Sequence, residues 1–71
     1  MNLDLLKRTR LYKGFKQYEV ADNIGISRQA YNSKEKGKSP IYADEISKII
    51  LFLSLTFDEV NEIFFDNIIS K

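Results

Sequence analysis

Apolar residues near the start of the chain, Leu3, Leu6 and Leu11 with Leu5 and Tyr12 beside them, recur close to every 3.6 positions. That spacing predicts an amphipathic helix over about residues 3–13, opened by Asn2 as an N-cap and ended by Gly14. Val20, Ala21 and Ile24 predict a short second helix over 17–24, with Glu19 and Asp22 bringing negative charge towards its positive N-terminal end. Lys16 is a poor cap for it, because an ammonium cannot accept the orphan N–H groups. Gly25 follows the last apolar position as a left-handed residue, and Ser27 is a good N-cap two residues later. A third helix is therefore expected over about 28–36, closed by Gly37, and two short helices joined by so tight a turn must cross steeply. A basic loop through Lys38 to Pro40 leads into a fourth helix over 43–53. Its core stripe is Ile46, Ile49, Ile50 and Leu53, while Asp44, Glu45 and Lys48 are expected to face water. Thr56 and Glu59 have capping-box spacing, so a fifth helix starts at Phe57, runs to about residue 66 and turns Val60, Ile63 and Phe64 inward.

The pattern is all-α, and residues 1–71 read as one domain without a repeat, a low-complexity stretch or a linker. A chain this short buries only roughly 60% of the surface it exposes when unfolded, so each core position counts. With no Cys and no His, a disulfide or a zinc site cannot reinforce the core, and no cofactor is expected. Helix packing, aided by a partner subunit, has to suffice. No apolar run approaches the ~20 residues that span a bilayer. Asp4, Lys7, Arg8 and Arg10 stand where a signal peptide needs its apolar stretch, so a cytoplasmic address without membrane partners is expected.

The net charge of +1 conceals an asymmetry. Residues 1–40 carry nine Lys and Arg against four acids, a net +5, while residues 41–71 carry two against six, a net −4. A basic half beside an acidic half suits a molecule that meets phosphates on one side, although ordinary surface charge produces the same arithmetic. The third helix gives the basic half a more specific meaning. Arg28, Gln29, Asn32 and Ser33 lie at i, i+1, i+4 and i+5, on one helical face. Arg can bind guanine bidentately, and Gln or Asn can do the same to adenine, in the major groove. On the opposite face Tyr31 supplies apolar area, and Glu35 points inward or along the protein. A helix N-terminus at Gln17 and cations at Lys16, Lys36 and Lys38 can clamp the backbone phosphates that fix register. Tyr12, Tyr18 and Tyr42 could each donate to a phosphate; packing is the expectation for two of the three.

The run of Gln17, Ala21, Gly25, Ile26, Ser27, Glu35 and Gly37 resembles the helix-turn-helix of the Cro/CI phage-repressor family, also called the xenobiotic-response-element family. That family has a Gln opening its second helix, a small residue at the helix crossing, a Gly in the turn and Glu-x-Gly ending the reading helix. The resemblance covers about residues 3–66 and implies a five-helix lambda-repressor-like fold. It implies that Gln17 bonds a phosphate and supports the reading helix, that Arg28, Gln29, Asn32 and Ser33 face bases, and that Arg10 and Glu35 pair as a structural brace. Three positions depart from the family pattern: Tyr31 where Val or Ile is usual, Lys34 where a hydrophobic residue is common, and Lys16 in place of a Thr or Asn cap. The stretch YNSKEKGK, residues 31–38, is nevertheless similar to small phage-type regulators from Gram-positive bacteria.

One short helix reads only a few base pairs, so such a regulator is expected to act as a homodimer on a palindromic operator in double-stranded DNA. Phe65, Ile68 and Ile69 either fold onto the protomer's own core or form the dimer contact. An enzyme is excluded by the lack of a phosphate-cradling glycine loop and of any His or Cys to act as base or nucleophile. The remaining rival is an antitoxin or protein-interaction module that keeps the fold, its partner a toxin or an antirepressor.

Overall fold

A helix forms where its first N–H groups and last carbonyls find partners, and the sequence supplies these locally. The structure is a computed structural model and describes residues 1–66. Its helices are α1 (Leu3–Tyr12), α2 (Gln17–Ile24), α3 (Arg28–Glu35), α4 (Ala43–Leu53) and α5 (Phe57–Phe64). Asn2, Ser27 and Thr56 accept from the N–H groups of Leu5, Ala30 and Glu59 as N-caps of α1, α3 and α5. The side chains of Lys16 and Tyr42 make no cap bond, yet α2 and α4 are closed from the other side. Glu19 accepts the Lys16 N–H at 2.8 Å and Glu45 the Tyr42 N–H at 2.9 Å, each reaching back from the third helical position.

Helices α1 to α4 end alike, in a left-handed residue followed by an N–H that reaches five residues back. The acceptors are Arg10 O for Phe15, Ala21 O for Ile26, Ser33 O for Lys38 and Ile50 O for Leu55. The chain's three glycines, Gly14, Gly25 and Gly37, serve the first three of these turns. At the fourth stands Ser54, with φ of +52°, where a Cβ crowds the neighbouring carbonyl. Ser54→Gly is therefore expected to raise stability by about 0.5–1 kcal/mol, read as a higher urea midpoint with unchanged m-value. A lowered midpoint would show that Ser54 contributes something its side chain alone provides.

Helix α2 packs on α3 and α4, and α1 packs on α3 and α5. Leu6, Val20, Ala21, Ile24, Tyr31, Ile49, Leu53, Ile63 and Phe64 form the buried core where they meet. The rings of Phe15 and Phe52, 4.8 Å apart, fasten the α1–α2 turn to α4. Three sequence expectations need correction. On α1 the inward stripe is Leu6, Thr9 and Arg10, while Leu11 is exposed and Tyr12 is 91% exposed, because the arginine takes the core position that a leucine was expected to hold. On α4, Glu45 is buried rather than facing water, because a cation on α3 lies against it. Helix α5 stops at Phe64, and Asp66 has φ of +51°. The Ile63 carbonyl that a longer helix would use is taken at 2.6 Å by the Asn2 N–H, which ties α5 to the start of α1.

Candidate nucleic-acid interface

Helix α3 divides into two faces. Tyr31, Lys34 and Glu35 are buried, whereas Arg28 and Gln29 are exposed and Asn32 and Ser33 half-buried. At 100° per residue the latter four fall on one arc, and Lys36, one turn beyond Asn32, lies within it and is exposed. The five side chains thus share the outward surface of the helix. The turn through Gly25 and Ile26 sets the start of α3 against α2, and Lys16 and Lys38, both exposed, belong to the turns before α2 and after α3.

What holds α3 at its angle is one carboxylate. The four lone-pair positions of Glu35 are each occupied. Oε2 accepts from Arg10 Nε at 2.9 Å and from the Tyr31 hydroxyl at 2.7 Å. Oε1 accepts from Arg10 Nη2 at 2.9 Å and from Gln17 Nε2 at 3.3 Å. A third guanidinium nitrogen, Nη1, donates to the Phe15 carbonyl at 2.8 Å, so α1, the turn after it, α2 and α3 meet at one ion pair. The side chains of that pair are only 5% and 3% exposed. Among the described residues, every buried side-chain nitrogen and oxygen has a hydrogen-bond partner.

Burial works against ionisation of Glu35, but the bonds from Arg10 and Tyr31, the guanidinium charge and the bond from Gln17 outweigh it and hold the carboxyl below its usual range. Burial likewise opposes the charge on Arg10, which Glu35 more than restores. Burial, reinforced by the bond to Glu35, pushes the Tyr31 hydroxyl far up, so it remains a donor. A carboxyl depressed in the folded state stabilises above its unfolded value and loses that contribution as pH falls through the folded one. Urea midpoints should accordingly fall with pH from about 4.5 downward, and less steeply in Glu35→Gln than in the wild type. Equal slopes in the two proteins would place the acid sensitivity elsewhere, Glu59 being the next depressed carboxyl.

Gln17 reaches further than Glu35. Its Nε2 also donates to Asn32 Oδ1 at 3.0 Å, so both amide hydrogens are used inside the protein. The side chain has no donor left for a phosphate oxygen; the Gln17 backbone N–H, at the open start of α2, is the group suited to that contact. The bond also orients Asn32, turning its NH2 away from Gln17 and leaving Oδ1 a second lone pair. Of the three exposed-ring candidates, Tyr12 packs on little, while Tyr18 and Tyr42 are about half exposed. Phe65 is 40% exposed; Ile68 and Ile69 lie outside the described residues.

Sequence reasoning missed Lys34 and Glu45. Their side chains, about nine-tenths buried, form an ion pair with Lys34 Nζ 3.0 Å from Glu45 Oε1. The available signal was a lysine on the inward arc of α3 with an unmatched acid in the first turn of α4.

Two short helices joined by a left-handed glycine, the second exposing a polar arc and braced from within, define a helix-turn-helix protein of the lambda-repressor-like, all-α kind. The family model described as Helix-turn-helix matches residues 6–60, and the chain belongs to that family. It is similar to a SPbeta prophage-derived uncharacterized HTH-type transcriptional regulator, YonR, of Bacillus subtilis strain 168, with 36% identity over 53 residues, 75% of this chain. The chain spans about half of that relative's length, 49%. No solved structure matches it significantly. Among the described residues no helix is long and apolar enough to cross a membrane.

Proposed function

We infer that the protein is a sequence-specific DNA-binding transcriptional regulator, acting in the cytoplasm as a repressor. The observation that carries this reading is the outward arc of α3, where Arg28, Gln29, Asn32 and Ser33 stand together on a helix whose inner face is fully engaged. In this reading α3 enters the major groove. Arg28 and Gln29 reach base edges, Asn32 reads with its amide oriented by Gln17, and Ser33 contacts a base or the adjoining sugar. Lys16, Lys36, Lys38 and the Gln17 backbone N–H meet phosphates on either side. A homodimer, with Phe65, Ile68 and Ile69 at its contact, sets two such helices about 34 Å apart on a palindromic operator. Occupying that site near a promoter blocks transcription.

Fluorescence anisotropy with labelled fragments from the region upstream of its own coding sequence, over a salt series, tests this. Three lysines in each of two protomers give an expected slope of log K against log salt of about −5, with one fragment preferred over its scrambled version. Equal, weak binding to every fragment, followed by no enrichment in selection from genomic DNA, would sink it. The antitoxin reading is favoured by one feature, the acidic exposed surface of α4 and α5 at Asp44 and Glu62. It requires a stable basic partner that co-purifies from the host.

A further inference from the structure

Lys34 is the buried cation that the interface does not use. Its Nζ lies 2.8 Å from the Pro40 carbonyl, 3.0 Å from Glu45 Oε1 and 4.7 Å from the centre of the Tyr42 ring. An ammonium has three N–H donors, and a carbonyl, a carboxylate and a ring face can take one each. Glu45 Oε1 also accepts the Tyr42 N–H at 2.9 Å. One buried charge thereby joins α3, the far end of the following loop and the first turn of α4.

The loop between these anchors carries Lys38, and Lys36 caps α3 just before it. Its near end is held by the left-handed turn at Gly37, where the Lys38 N–H reaches the Ser33 carbonyl at 2.9 Å. Its far end is held by the Lys34 tripod at Pro40 and Tyr42. A leucine or methionine at position 34 would fill the same inward position without the cost of desolvating an ammonium. What the lysine adds is direction, since packing alone does not choose where the Pro40 carbonyl sits.

We propose that Lys34 is a positioning residue for DNA binding: its tripod to Pro40, Glu45 and the Tyr42 ring sets the α3–α4 loop so that Lys38 meets a phosphate beside the groove that α3 occupies. This rests on the DNA-binding reading above. It assigns a use to a position where the sequence departs from the pattern it otherwise resembles, and to an acid that the helical pattern places in water.

The test is the double variant Lys34→Met with Glu45→Gln. It removes both charges together, so neither is left buried and alone, and the glutamine carbonyl still accepts the Tyr42 N–H. Thermal unfolding confirms that the fold is kept. In the free proteins, amide 15N relaxation should show lower order parameters for residues 38–41 in the variant. On the preferred fragment its affinity should fall about tenfold, and the salt slope should shrink by about one to two. A merely structural loss would reduce the active fraction and leave that slope alone. A folded variant with wild-type order parameters and wild-type slope overturns the proposal. Wild-type protein that prefers no DNA sequence overturns the functional reading and this one with it.

Discussion

Glu35→Ala is expected to cost the protein about 3–5 kcal/mol of stability. The substitution strips three partners at once: the Arg10 guanidinium, the Tyr31 hydroxyl and one hydrogen of the Gln17 amide. The first two sit where water reaches them poorly, Tyr31 being fully buried and the Arg10 side chain 5% exposed. Removing one member of a buried ion pair costs about 3–5 kcal/mol, chiefly because the remaining charge stays desolvated. A domain of this length has a total stability of about 4–11 kcal/mol, so the loss consumes between roughly a quarter and all of it. Replacing both partners, Arg10→Met with Glu35→Leu, removes both charges and should recover part of that stability, the Tyr31 hydroxyl and the Phe15 carbonyl still lacking their partners. Tyr31→Phe deletes a single donor and should cost only about 1 kcal/mol. Urea unfolding followed by far-UV circular dichroism orders these variants. If Glu35→Ala loses less than about 1 kcal/mol, the pair is a surface-like contact and does not set the angle between α2 and α3.

The second large effect is on binding. Arg28→Ala should weaken the preferred fragment by about 1–3 kcal/mol, roughly tenfold to hundredfold, with the melting temperature almost unchanged. Arg28 opens α3, is exposed and belongs to none of the buried contacts, so its removal leaves the fold alone. The form of the loss identifies the contact. A base-reading arginine loses discrimination at one position of the site, and random fragments bind about as before. An arginine on a phosphate weakens all sequences alike and lowers the salt slope by about one. The second pattern would move Arg28 from the reading set to the phosphate set and leave Gln29 and Asn32 as the readers.

The two effects are linked through Gln17. The same amide nitrogen bonds Glu35 in the brace and Asn32 on the outward arc of α3, so the residue that opens α2 connects the hub of the fold to the surface proposed to read DNA. Rigid support of this kind limits how far a reading side chain can stray from its productive geometry.

Much of this was legible along the chain. The five helices and their order follow from apolar periodicity, from Asn2, Ser27 and Thr56 as caps and from glycines that accept a positive φ. These are local effects: a cap bonds within three residues and a left-handed turn within five, so sequence neighbours suffice to specify them. The outward arc of α3 was legible for the same reason, because helical phase alone puts Arg28, Gln29, Asn32 and Ser33 together. What the sequence could not decide is which charged residues go inside. Arg10 and Glu35, 25 positions apart, are paired in the sequence only by the family resemblance, and Lys34 and Glu45, joined across a loop, look like solvated charges until each is placed against the other. A buried charge is costly alone and tolerated when paired, so its position depends on a contact that only the packed helices create. The same holds for the end of α5, where the Asn2 N–H occupies the Ile63 carbonyl, and for the Gln17 amide, whose hydrogens are directed inward by two acceptors on α3. Local chemistry determined the helices and the face; tertiary contact decided the brace, the loop anchor and the orientation of Asn32.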